Sequence, residues 1–121
     1  MPIKRKIFEL EDGKKVWVRQ ASGLEKLPIE TAHAKALTKC RHYGTDPTAW
    51  TDEQQDEFFD YVDLMGGGMD SQIPLLIPLC VGEYEDGSGQ CDPSQLLSTE
   101  IVDMLPFIRG EDEEGSVPLD R

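Results

Sequence analysis

The chain has 121 residues, 38% of them apolar and 30% charged, with a formal net charge of −12. That length fits one domain with a core of its own, needing no metal or disulfide to fold. No apolar run approaches the roughly 20 residues of a membrane span, and net acidity argues against duplex DNA as a ligand. The charge is divided unevenly. Ten of the 12 basic residues lie in the first 43 positions, against five acids, and the later positions hold two bases and nineteen acids. Opposite charge at the two ends equips a small protein to dock, including to copies of itself. Cys40, Cys80 and Cys91 are odd in number and unrelated in spacing, which points to free thiols in a reducing compartment. The start, Met1 to Lys6, is basic but is followed by no apolar stretch, so no signal peptide is expected. A cytosolic protein is the default.

In chain order, Lys6–Leu10 and Lys15–Arg19 flank Glu11-Asp12-Gly13-Lys14, an Asp-Gly hairpin signal. Alternation puts Phe8 and Leu10 on one face of the first strand, and Val16 and Val18 opposite to Trp17 in the second. A lone hairpin is marginal in water and must pack on something or pair with another chain. Ala21-Ser22-Gly23 breaks the strand. A helix is expected from Pro28 to His42, with Pro28 in its first turn and Ile29, Ala32, Ala36, Leu37 and Cys40 as its buried stripe. Gly44 stops it.

Thr51-Asp52-Glu53-Gln54 reads as a capping box that opens a second helix, with Trp50 placed to pack on Phe58 or on the neighbouring turn. Phe58, Val62 and Met65 form the core face, widened by Phe59 and Tyr61. Asp56, Glu57, Asp60 and Asp63 form the wet face. Gly66-Gly67-Gly68 ends the helix. Ser71 to Val81 is apolar on nearly all sides and is a buried helix or a buried strand; leucine richness and Pro74 favour helix, kinked at Pro78. Residues 82–91 read as a loop. Asp92-Pro93-Ser94-Gln95 is another cap signature. Ser98 caps the last helix, whose stripe is Ile101, Met104, Leu105 and Ile108. Glu111 to Arg121 is acidic and aperiodic, a tail expected to be disordered when alone.

The resulting expectation is an α+β fold: an N-terminal β-hairpin followed by four or five short helices, compact over 1–110, with an acidic tail over 111–121. The chemistry-bearing patterns are thin. Cys40 with His33 and His42 lacks a second pair at a zinc spacing. Residues 82–87 fail the calcium-loop pattern at Gly82 and Tyr84. Gly66-Gly67-Gly68 is not followed by the Lys-Ser/Thr of a phosphate loop. No enzyme activity and no cofactor is expected, and neither nucleic acid nor a membrane is an expected partner. The basic residues Lys4, Arg5, Lys6, Lys14, Lys15 and Arg19 are the candidate self-association surface.

Two stretches together resemble a known family. The first is Lys15-Val16-Trp17-Val18-Arg19-Gln20-Ala21-Ser22-Gly23-Leu24-Glu25-Lys26, a "V-x-V-R-x-x-(S/T)-G-x-E" entry into a helix. The second is the apolar run Leu75 to Val81, then Glu85-Asp86-Gly87, then Cys91-Asp92 and Leu96 to Ile108 with Leu105-Pro106. In this order they resemble the tail assembly chaperones of long-tailed, siphovirus-type bacteriophages and prophages. Cys91 stands where that family has an aromatic residue, and neither the glycine triplet nor the two prolines of the apolar run belongs to its pattern.

The resemblance implies an accessory protein of tail morphogenesis, acting in the cytoplasm of the bacterial host and absent from the mature virion. It would bind the tape measure protein and help recruit tail tube subunits. Many genes of the family also give a longer product by frameshifting near the 3′ end, and Glu111 would be a natural place for such an extension to begin. A chaperone polymerising along a fibre needs a head-to-tail contact between copies, which the charge split would supply. The alternative is a small acidic phage-encoded inhibitor that mimics nucleic acid, for which the basic first third is ill suited.

Overall fold

Lys4–Glu9 (β1) and Lys15–Arg19 (β2) pair as an antiparallel hairpin with Phe8 opposite Val16 and Lys6 opposite Val18. The computed structural model describes residues 3–118. Gly13 donates its N–H to the Leu10 carbonyl at 2.9 Å and takes φ +88°, a left-handed conformation that glycine adopts without steric cost. Asp12 stays at negative φ and instead accepts from the Lys14 N–H through its carboxylate. The expected alternation holds: Val16 and Val18 are fully buried, and Trp17 lies on the opposite face, half-buried.

By its internal contacts the chain groups into two units, Met1–Glu25 with Ile73–Arg121, and Lys26–Gln72. In the first unit the hairpin extends to a four-stranded antiparallel sheet of order β3-β2-β1-β4, with β3 at Val81–Tyr84 and β4 at Val117–Pro118. The loop expected over 82–91 is therefore corrected. Its first residues form β3, and Gln90 bridges back to Glu83. Gly82 is required here, since a Cβ would stand 3.1 Å from the Trp17 carbonyl oxygen.

Helix α4, Ser98–Ile108, packs on the inner sheet face, where Phe107 meets Phe8 with ring centroids 5.9 Å apart. Phe107, Met104, Leu105 and Ile108 are all at most 1% exposed. Phe107, which the expected stripe omits, belongs to it by its spacing of three from Met104. Ser98 is the first helical residue and not the cap. Glu100 reaches back instead, accepting the Leu97 N–H at 2.7 Å and the Glu11 N–H at 2.8 Å. One buried carboxylate thus satisfies an orphan helix N–H and ties the hairpin turn to α4. The expected tail runs partly beside β1: Val117 and Pro118 pair with Arg5 and Lys4, and Glu113 forms an ion pair with Lys4. Both strand residues are exposed, so the pairing buries little apolar area.

Helix α1 spans Gly23–Cys40 and begins five residues before the expected Pro28. The reason is a capping box at Ser22 and Glu25: the Glu25 N–H donates to Ser22 Oγ at 3.1 Å, and the Ser22 N–H donates to Glu25 Oε1 at 2.8 Å. Pro28 therefore lies inside the helix, past its first turn. Helix α3 spans Met69–Cys80, helical as leucine richness suggested, with Pro74 and Pro78 inside it; the expected burial is corrected, since Leu76, Ile77 and Cys80 are buried while Pro74, Leu75, Pro78 and Leu79 are exposed.

The second unit holds most of α1, the helix α2 at Asp52–Leu64, and the glycine turn. Thr51 and Gln54 make the expected reciprocal cap at 3.2 and 3.0 Å. Trp50 sits edge-on to Phe58 at 5.7 Å and donates from Nε1 to the Gly44 carbonyl. Val62 is buried, but Phe59 is 56% exposed and Leu37 is 40% exposed, so neither belongs to the buried face assigned to it. Gly67 permits the helices' approach: a Cβ there would lie 2.9 Å from the Ala32 Cβ and 3.0 Å from the Val62 Cγ1.

Candidate functional site

The six basic residues of the candidate surface are divided by the strand pleat. Lys4 and Lys6 lie on the inner face of the sheet. Arg5, Lys15 and Arg19 lie on the outer face, and Lys14 ends the turn. Lys6 places its ammonium 5.0 Å above the Phe8 ring, and Lys14 places its own 4.9 Å from that of Tyr84. Lys4 is taken up by Glu113, which holds that carboxyl below its ordinary range. The expected surface is therefore not one patch.

Arg19 and Arg5 face each other directly across the β1–β2 register. Arg19 is committed within the chain: its two terminal nitrogens donate to the two oxygens of Glu25 at 2.8 Å each, and one also donates to the Gln20 carbonyl. This pair, assisted by the Ser22 N–H, holds the Glu25 carboxyl down at about 2 and keeps the Arg19 guanidinium above its ordinary value. Arg5 has no carboxylate within ion-pair range among the described residues. Its guanidinium stacks 4.0 Å over Trp17, and its buried Nε–H has no hydrogen-bond partner among the described residues.

Beside these two arginines a cleft of about 270 Å³ opens on the outer sheet face, walled by Trp17, Leu79 and Cys80 with Glu83 and Gln90 at its edge. The Cys80 thiol is pushed up to about 11 by burial and is a wall, not a nucleophile. A second cleft of about 250 Å³ lies at the hairpin turn between Tyr84, Cys91 and Glu100. Cys91 is raised by burial, and Tyr84 is raised by its hydrogen bond with that thiol.

The residues weighed for metal chemistry have other partners. The His33 ring contacts the Ile29 carbonyl oxygen through Nδ1 and tilts against Phe58, and His42 stacks near Tyr43. Tyr43 donates to Glu57 and is pushed up to about 12 by that bond. Among the described residues no group of three or more His, Cys, Asp or Glu side chains is placed to hold a metal ion, and no helix is long and apolar enough to cross a membrane.

Sequence reasoning missed the outer cleft, because its walls come from β1, β2, the end of α3 and the 82–90 return. It also missed Phe59 as a surface residue. On α2 the exposed positions are Asp52, Glu53, Asp56, Phe59, Asp60, Asp63 and Leu64, and no base lies between Asp52 and Leu64. Comparison with family models, curated proteins and solved structures finds no match.

Proposed function

We propose that this chain acts by binding protein, as a tail assembly chaperone of a long-tailed phage or prophage that engages the tape measure protein and helps bring in tail tube subunits. The observation that carries the reading is the strand-to-helix junction over residues 15–26, the segment on which the resemblance rests. Every marked position there except Gly23 has a physical task. Val16 and Val18 fill the core, Ser22 and Glu25 cap α1, and Arg19 locks Glu25 in a two-point ion pair. Exposed apolar side chains support a binding role: Leu24 is 81% exposed, Leu64 85% and Phe59 56%. Contacts between copies are head to tail, as growth along a fibre requires.

The test is co-expression with a fragment of the tape measure protein from the same phage. The chaperone keeps the fragment soluble and co-purifies with it. A fragment that stays insoluble, or soluble but unaccompanied, contradicts the reading. The exposed acids of α2 favour one alternative, an inhibitor that mimics nucleic acid. Competition with DNA for a host DNA-binding enzyme in purified form is its measurement.

A further inference from the structure

We infer that the outer cleft of the sheet is the socket of the head-to-tail contact, and that its occupant is the exposed face of α2 from a second copy, with Phe59 entering the cleft and Asp60 or Asp63 meeting Arg5. This rests on the self-association in the reading above and assigns it to named surfaces.

Like charges directly opposite in an antiparallel pair repel, yet Arg5 and Arg19 are register partners. Glu25 answers Arg19 with two hydrogen bonds, and nothing among the described residues answers Arg5. Stacking on Trp17 at 4.0 Å fixes the Arg5 guanidinium in place, so binding an anion there orders little that is not already ordered. Its Nε–H is buried and has no hydrogen-bond partner among the described residues, so the terminal nitrogens are the ones left to meet an incoming group. A guanidinium that lines the cleft, is held on an aromatic face and meets no carboxylate among the described residues can receive one through its terminal nitrogens.

The surroundings add a second requirement. Trp17, Leu79 and Cys80 wall the cleft, so the carboxylate should arrive beside an apolar group. The chain itself presents that combination on α2. Phe59 is exposed, with Asp56 three residues before it, Asp60 next to it and Asp63 four residues after it, on one side of the helix. None of these acids has an ion-pair partner among the described residues. The socket and the plug differ, so the contact is heterologous and repeats from copy to copy. Glu83, exposed at the cleft edge, opposes the incoming acids and sets the contact as weak and reversible.

The experiment uses the full chain in sedimentation velocity at low salt and high protein concentration, with folding checked by circular dichroism. The native chain associates. Arg5→Glu and the double variant Asp60→Lys with Asp63→Lys each associate roughly tenfold or more weakly. An equimolar mixture of the two variants regains association, because each then offers the other a complementary surface. Phe59→Ala, which removes a side chain 56% exposed and is checked for folding in the same way, weakens association independently of charge, and Glu83→Gln strengthens it. The inference is overturned by a native chain that stays monomeric, by variants that associate as the native chain does, or by a mixture that fails to recover. Tape measure solubility is scored separately with the Phe59→Ala chain and the native chain. A chaperone with a different self-contact keeps that activity while the socket tests fail.

Discussion

Replacing Glu25 by glutamine perturbs the junction on which the family resemblance rests while keeping its shape. The carboxylate accepts from both terminal nitrogens of Arg19 and from the Ser22 N–H, each at 2.8 Å. These bonds move its pKa from 4.5 to about 2. At about 1.4 kcal/mol for each pH unit, that difference corresponds to ~3 kcal/mol. The side chains of the pair are 26% and 23% exposed, and water screening reduces the net contribution to about 1–2 kcal/mol. Glu25→Gln retains an oxygen for the Ser22 N–H and loses the ion pair, so it should lower stability by about 1–2 kcal/mol near neutrality. Glu25→Ala also removes half of the cap and should cost about 1 kcal/mol more. Urea denaturation followed by circular dichroism measures both. The sign of the pH dependence is fixed by the depressed folded-state pKa. The contribution is present above the unfolded value near 4.5 and is lost as pH falls toward 2. The gap between native and Glu25→Gln chains should therefore close across that window. A gap below about 0.5 kcal/mol at neutral pH, or one unchanged in acid, refutes the reasoning.

Three further outcomes follow from single sites. Gly13→Val places a β-branched residue at φ +88° and should destabilise by about 1–2 kcal/mol; an unchanged urea midpoint would show that the turn relaxes freely. Gly67→Ala drives a methyl to 2.9 Å from Ala32 and 3.0 Å from Val62 and should cost about 1–3 kcal/mol, read by thermal melting, with a stability equal to native as the contrary result. Cys40, Cys80 and Cys91 are buried, with burial raising all three thiols. Native protein at neutral pH should react slowly with a thiol reagent and unfolded protein rapidly, and fast reaction of any one native thiol would contradict that burial.

What the sequence reveals about this fold follows the range over which the responsible forces act. The Asp-Gly turn, the Thr51–Gln54 box and the valine alternation of β2 are decided within a few residues, and each is readable from its own segment. The start of α1 is just as local, because Ser22 and Glu25 stand three apart. It is obscured by Pro28, whose preference for a first turn competes with the stronger reciprocal cap. The third strand is harder to see. Residues 82–91 are rich in glycine and acids, and Val81–Tyr84 becomes a strand because β2 offers it a free edge. Exposure of Phe59 and Leu37 depends on which neighbours the helices meet, which periodicity alone does not specify.

The candidate surface divides for a similar reason. Consecutive basic residues Lys4, Arg5 and Lys6 read as one patch, yet the pleat sends Arg5 to one face and its neighbours to the other. The Arg19–Glu25 pair, which consumes one charge, depends on how β2 turns into α1, and the open state of Arg5 is not visible without the cross-strand register. The charge imbalance along the chain is legible at once; the particular arginine left without an answer is not.

The central claim is that this chain works by holding another protein. Its most direct measurement is co-expression with the tape measure fragment, followed by affinity capture through a tag on the chain. The account predicts a soluble complex that survives washing at low salt and weakens as salt rises. A fragment that aggregates to the same extent with and without the chain, and is never captured with it, would contradict the account.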